Sequence, residues 1–281
     1  MYRWQRLDLR RPGWWACFVL AALPVAHGQD DALSEDEAAT MLERIIDTDR
    51  NSFTFSPLTV DPGRYLSEVS YTYIDVRSAL PKHSFPEYLT RVGITEALEL
   101  RFGWNYETGG SENAAVGDIA NFFGADMEQQ MLYGAKLAIT HQKGLRPASA
   151  FFAQGHTPTG GRQANTQARL GYSFGWELPN DWIFDAGFEC GTDSVDGDGY
   201  FVWAPSAVMK FPFGREKRWF THLEYFSVFT QNKRDPFNNQ FLDTGLHFLV
   251  TPDIEIGGII GMGLNPDAPP LLASFGVGIR F

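Results

Sequence analysis

The chain has 281 residues, a formal net charge of -11, two cysteines and 28 glycines, with 44% hydrophobic and 15% aromatic residues. So acidic a balance excludes a basic nucleic-acid footprint. Past the leader, no stretch is long and apolar enough for a membrane helix. Many aromatics and glycines at modest hydropathy suit a barrel that hides its membrane face by alternation, the bland rival being a large exported β-sandwich.

Residues 1–28 read as a secretory signal. Arg3, Arg6, Arg10 and Arg11 make a basic start, Trp14 to Ala26 is a short apolar run, and Ala26-His27-Gly28 offers small residues for cleavage. The apolar run falls short of the roughly 18 residues a membrane anchor needs. Cys17 lies inside it, so the mature chain keeps only Cys190 and has no intrachain disulfide.

Residues 29–63 form an acidic segment and entry, expected on the periplasmic side. Ser34-Glu35-Asp36-Glu37 has capping-box spacing, and Met41, Leu42, Ile45 and Ile46 make an apolar stripe at helical spacing, so a short acidic helix is expected. Asp47 to Gly63, with Pro57 and Pro62, reads as an irregular, extended entry.

From residue 64 the chain alternates to its end. Side chains on a strand point to opposite faces in turn. Tyr65, Val69, Tyr71 and Tyr73 oppose Glu68, Ser70 and Thr72; Tyr88, Thr90 and Val92 oppose Glu87, Leu89 and Arg91. The clearest case sets Leu98, Leu100, Phe102, Trp104 and Tyr106 against Glu99, Arg101, Gly103 and Asn105. Nine further strands follow, near 131–142, 147–156, 166–177, 181–192, 199–211, 218–230, 240–250, 254–264 and 271–281; Pro205 suggests a bulge in the fifth of these. Connections after even strands are short and those after odd strands longer, above all Glu107 to Gln130. Together these predict an all-β fold: a transmembrane antiparallel up-and-down barrel of about 12 strands with both termini inside the cell envelope. The last strand ends on Phe275, Val277, Ile279 and Phe281, an aromatic-terminated pattern that resembles the signal read by the outer-membrane barrel-assembly machinery.

The segment Asp49-Arg50-Asn51-Ser52-Phe53-Thr54, then Ser56-Pro57-Leu58-Thr59-Val60 and Gly63, with Glu68 and Tyr71, resembles the opening of the "meta-pathway of phenol degradation" outer-membrane family. Phe85-Pro86-Glu87 to Thr95, running into Leu98 to Arg101, is similar to its second and third strands, and Thr157-Pro158-Thr159-Gly160 to a loop signal after strand five. Asn51 stands where members often carry proline. The resemblance covers about residues 47–281 and implies an outer-membrane transporter. It does not carry phenol over as the substrate.

If the apolar faces meet lipid, the others line a lumen. That places Glu68, Glu87, Arg91, Glu99, Arg101, Lys136, Arg169, Glu177, Asp185, Glu189, Lys210, Glu224, Asp243, Glu255 and Arg280 inside. Two readings stay open for them: a ladder of ion pairs that fills the interior, or a weakly cation-preferring pore wall. Phe122, Phe123, Met127 and Met131 offer a greasy constriction or plain loop packing. Outward aromatics (Tyr71, Tyr73, Trp104, Tyr106, Trp176, Trp182, Phe281) suit interfacial girdles.

The expected function is therefore passive passage of small solutes, hydrophobic or aromatic ones included, with outer-membrane lipid and the assembly machinery as partners and no nucleic acid. The alternatives are a closed structural or adhesive barrel and, less so, a lipid hydrolase. The last needs an outward Ser-His pair, whereas His222 and His247 fall on lumen faces. Asp193 to Gly199 lacks EF-hand spacing and reads as an acidic external loop. No cofactor, metal ligand set or enzymatic constellation is read.

Overall fold

The computed structural model describes residues 45–76, 80–109, 127–160, 165–195, 198–214 and 216–281. Twelve strands follow in order: β1 (Tyr65–Asp75), β2 (Lys82–Gly93), β3 (Leu98–Thr108), β4 (Met127–Thr140), β5 (Ala148–Gly160), β6 (Gln167–Leu178), β7 (Trp182–Val195), β8 (Asp198–Phe213), β9 (Trp219–Gln231), β10 (Asn238–Thr251), β11 (Ile254–Gly263) and β12 (Leu271–Arg280). Each pairs antiparallel with the next, and β1 pairs with β12, so the sheet closes into a barrel without an edge.

Closure is set by side-chain alternation on the two end strands. Val69 pairs with Val277 and Tyr71 with Phe275, apolar against apolar on the outer face, while Ser70 meets Gly276 and Thr72 meets Ser274 within. Past the last pair, Phe281 N–H donates to the Tyr65 carbonyl (2.8 Å) and Tyr65 N–H to that of Phe281 (3.2 Å), and the two rings stack at 4.8 Å. The final residue is thus part of the seam.

The faces are inverted relative to a water-soluble protein. Phe102, Tyr133, Leu223, Leu246, Ile260 and Phe275 are exposed, whereas Glu68, Glu99, Arg101, Lys136 and Glu224 are buried. Charged groups are almost never fully buried unless paired, and broad apolar exposure marks a surface that water does not wet. Alternation carried around a closed barrel with this polarity is what a bilayer imposes.

Several local expectations change. Residues 34–44 of the expected acidic helix lie outside the described residues, and Ile45 and Ile46 carry no helix. Pro205 makes no bulge. It pairs with Phe188 on β7, and toward β9 the register is the same on either side of it, Trp203 with Phe229 and Ser206 with Phe226. A missing N–H removes one ladder bond without shifting the strand. Thr157-Pro158-Thr159-Gly160 belongs to β5 rather than to a loop, and the register shift falls opposite it, between Gln129 and Gln130. β7 and β8 run so far that only residues 196 and 197 separate them, and Asp193 turns inward to accept from Gln167 (3.0 Å) and Tyr200. Met131 is exposed on the outer face of β4, away from any constriction; Phe122 and Phe123 lie outside the described residues.

The inverted polarity gives a direct expectation. Leu246, exposed near the middle of β10, meets hydrocarbon, so Leu246→Arg will lower unfolding stability in lipid vesicles by about 2–4 kcal/mol. Denaturant midpoints of the refolded protein measure it; an unchanged midpoint would show that this face does not contact lipid.

Candidate functional site inside the barrel

The interior is not filled by wall side chains alone. The chain from Ile46 to Val60, which precedes β1, lies among them. Ile46 N–H donates to the Pro252 carbonyl at the β10–β11 turn (2.9 Å). A short 3-10 turn follows at Asp49–Asn51. The segment then reaches β9, where Phe53 stacks on Phe226 at 4.1 Å, and returns until Val60 N–H donates to Glu99 on β3 (3.0 Å). Among the described residues no strand pairs with its backbone, and past Ile46 inward side chains meet its polar groups. Gly278 makes room for it: a Cβ there would come within 2.4 Å of the Thr48 methyl.

Asp49 is the centre of the first contact group. Alternation places Arg91 on β2 and Arg101 on β3 inside, and the register sets them directly opposite each other, two like charges in one cross-strand pair. Asp49 Oδ1 lies 3.2 Å from Arg91 and 3.6 Å from Lys136, and Oδ2 lies 2.6 Å from Arg101. Glu99 adds contacts of 3.0 Å to Arg91 and 2.9 Å to Arg101. Burial by itself would raise the Asp49 carboxyl, but the charges of Arg91, Lys136 and Arg101 prevail and hold it well below its ordinary value.

The remaining inward charges take up the segment's other groups. Arg50 N–H donates to Glu68 (2.9 Å), and the Arg50 guanidinium lies 3.6 Å from Glu87, which also accepts from Ser70 and Thr72. Lys136 donates to the Ser56 (3.2 Å) and Leu58 (3.1 Å) carbonyls. Phe55 packs edge-on to Phe152 at 4.8 Å beneath the Arg101 guanidinium. Glu224 accepts from the N–H groups of Phe53 and Thr54, both at 2.7 Å, and from the Thr54 hydroxyl.

Of the residues expected inside, Glu68, Glu87, Arg91, Glu99, Arg101 and Lys136 come together around Asp49. Glu224, Asp243 and Glu255 form a second group with His222 and His247. Arg169 pairs with Glu189 (3.9 Å), and Lys210 with Asp185 (3.4 Å) and Asp47 (3.7 Å). Arg280 sits at the rim with Asp253 (2.8 Å) and Asp61 (3.8 Å). Glu177 shares the face of Ser173 and Gly175 but is exposed at the end of β6, outside these contact groups, where its backbone bonds Gln142. Sequence reasoning missed Asp49, Arg50, Phe53 and Thr54, although it singled out that same run as a motif. Above the segment the inner wall turns apolar, with Tyr200, Val202, Phe226, Phe241, Ile259 and Leu272 in one cluster that includes Phe53.

The family model described as "Putative MetA-pathway of phenol degradation" matches residues 48–281, from the enclosed segment to the last residue. The chain belongs to that family. No curated protein matches its sequence. Among solved structures, the COG4313 outer membrane channel from Pseudomonas putida F1 is similar at 11% identity and a TM-score of 0.60, over 85% of this chain and 100% of that one. The NanC porin (12% identity, TM-score 0.52, 76% of this chain and 98% of that one) is also similar. So is the KdgM porin solved with oligogalacturonate (7%, 0.50, 76% and 99%). At these identities the likeness is one of fold.

Asp49→Asn will leave Arg91, Arg101 and Lys136 short of a buried negative charge. A loss of about 3 kcal/mol is expected by denaturant unfolding, with trypsin cutting after Arg50 in the folded barrel. Because the folded carboxyl titrates below its ordinary value, its contribution is complete above that value and is lost progressively as the pH falls from there to the lower one. An Asp49→Asn barrel as stable and as resistant to trypsin as the parent would show that the charge does not seat the segment.

Proposed function

We propose that this protein is an outer-membrane diffusion channel for small apolar or aromatic solutes, with the chain from Ile46 to Val60 as a displaceable plug. One observation carries the reading. The space inside the wall is taken by a separate piece of chain, held by ion pairs, hydrogen bonds and two ring contacts rather than by a strand ladder. Twelve strands enclose more space than the roughly eight whose own side chains fill a barrel, and a piece of chain held by such contacts can leave that space where wall side chains cannot.

The solute class follows from what the plug touches. Phe53, Phe226 and Phe241 form a stack, with centroid spacings of 4.1 and 4.7 Å, inside the apolar cluster. A small aromatic solute entering from the loop end meets this cluster first and fits the place that Phe53 fills. Below it, the charges around Asp49 favour water or ions once uncovered. Export by the leader 1–28, insertion by the barrel-assembly machinery through the Phe275 to Phe281 strand, and a periplasmic position for the acidic chain ahead of Ile46 complete the reading.

A closed structural barrel is the second reading, favoured by the near-complete burial of Glu68, Glu99, Arg101 and Lys136. Tethering the plug separates the two. The Ser173 hydroxyl donates to the Ser56 carbonyl at 3.4 Å, so cysteines at both positions, in a Cys190→Ser background, should form a disulfide. Vesicles carrying the reduced variant should take up a small aromatic solute, and oxidation should abolish uptake until reductant is added. Absence of uptake and of conductance in the parent and in the reduced variant would leave the closed barrel.

A further inference from the structure

The second contact group is built unlike the first. Glu224 on β9 and Asp243 on β10 are direct cross-strand partners, both inward and both buried. Like charges placed opposite each other destabilise a sheet unless a positive centre lies between them. Around Asp49 arginine and lysine supply that centre. Here, among the described residues, no lysine or arginine comes within 4.0 Å of either carboxylate. Lys210, which pairs with His222 across β8 and β9, directs its ammonium to Asp47 and Asp185 instead.

What the pair does have is imidazole. His222 Nε2 lies 2.9 Å from Asp243 Oδ1, and donor atoms of His222, Glu224 and Asp243 lie within 4.8 Å of one another. Behind them the ring series continues. His222 Nδ1 faces His247 Nε2 at 3.3 Å, and His247 Nδ1 lies 3.3 Å from Glu255. Two neutral rings carry two N–H protons for these three contacts. His247 Nδ1 makes no hydrogen bond, so the two N–H protons serve the other contacts, His247 Nε2–H to His222 Nδ1 and His222 Nε2–H to Asp243. A cation bound at His222 Nε2 takes the place of that proton and supplies the positive centre that the two facing carboxylates lack.

The rings are also given their space. Gly245 lies opposite His222 and Gly257 opposite His247 in the ladder. A Cβ on Gly245 would fall 2.5 Å from His222 Cε1 and 2.7 Å from His247 Nε2, and one on Gly257 would fall 2.1 Å from His247 Nδ1. Glu224 is fixed from the other side: Oε1 accepts from the Thr54 N–H and hydroxyl, and Oε2 from the Phe53 N–H, which leaves Oε2 a second lone pair for a ligand.

We propose that His222 Nε2, Glu224 and Asp243 bind a divalent first-row transition-metal ion inside the barrel, with His247, Glu255 and the plug backbone as the groups that orient these ligands. One imidazole and two carboxylates, with a place left for water, are a donor set that Zn²⁺ accepts in tetrahedral geometry. Donor atoms about 3.3 Å apart surround such an ion, so the His222–Asp243 pair at 2.9 Å opens slightly and the wider pairs, within 4.8 Å, close on the ion. The His222–His247–Glu255 series has the form of the outer contacts that fix a ligating histidine, and the Phe53 and Thr54 N–H groups do the same for Glu224. Binding is therefore independent of whether the barrel conducts.

The test uses the untagged full chain, folded in detergent, stripped of metal and titrated with Zn²⁺ alone by calorimetry and equilibrium dialysis. One ion per chain is expected, with affinity weakened by about tenfold or more in His222→Gln and in Asp243→Asn and unchanged in His141→Gln, whose ring is exposed. Heat-modifiable migration on gels shows that each variant is folded. Should either variant not fold, Co²⁺ replaces Zn²⁺ in the parent, where intense visible bands of tetrahedral N/O coordination are expected. No stoichiometric uptake by the folded parent, equal uptake by parent and folded variants, or a Co²⁺ spectrum of the hexaaqua ion would each overturn the site.

Discussion

The structure rests on one constraint: charges turned away from lipid must find partners within a barrel too narrow to hydrate them freely. Arg91 and Arg101 face each other across β2 and β3, and Lys136 faces Glu99 across β3 and β4. Glu99, with Glu68 at 3.6 Å from Arg91, cannot balance three cations. Desolvated charges are tolerated only when paired and hydrogen-bonded, and removal of one partner costs far more than the pair contributes. The missing anion comes from outside the wall, as Asp49, and much else about the interior follows from bringing it there. To deliver Asp49, the chain must enter the barrel, turn and leave again before β1 begins.

That path divides the interior by chemistry. Where the segment passes β2, β3 and β4, its contacts are ionic and its carbonyls are taken by Lys136. Where it reaches β9, they are aromatic, and the wall beyond is apolar on β8 to β12 and on β1. The lower part is suited to holding a plug in place and the upper part to receiving something that resembles the plug's own phenyl ring. Glu224 stands at the join. It anchors the turn of the segment through two N–H groups and belongs as well to the imidazole and carboxylate group behind it.

Much of this was legible in the sequence because a strand writes its two faces in alternate letters. Leu98 to Tyr106 and Leu271 to Phe281 each state both the strand and its orientation, and so place Glu99, Arg101 and Arg280 inside without reference to any partner. Alternation is silent on where a strand stops, which is why β7 and β8 absorbed the residues expected to form an acidic loop. It is silent also on pairing across the barrel. The segment around Asp49 has no period, and its contacts, to Glu68 at the nearest and Glu255 at the farthest, are set by tertiary packing. The motif there stood out as a family pattern, yet nothing local in Asp49 to Thr54 says that these residues are enclosed. The likeness of charge at Arg91 and Arg101 was the available clue, since a register that opposes two arginines calls for an anion the wall does not supply.

The plug ends at Val60 and the seam strand begins at Tyr65, with residues 61–64 between them. So short a leash changes the kinetics of any opening. A segment drawn from its seat remains at high effective concentration beside it and returns by an intramolecular step, at a rate indifferent to how many barrels the membrane holds. It cannot be lost to solution or exchanged between neighbours. Resealing is thus built into the covalent order of the chain, and the permeability of one molecule is its own property.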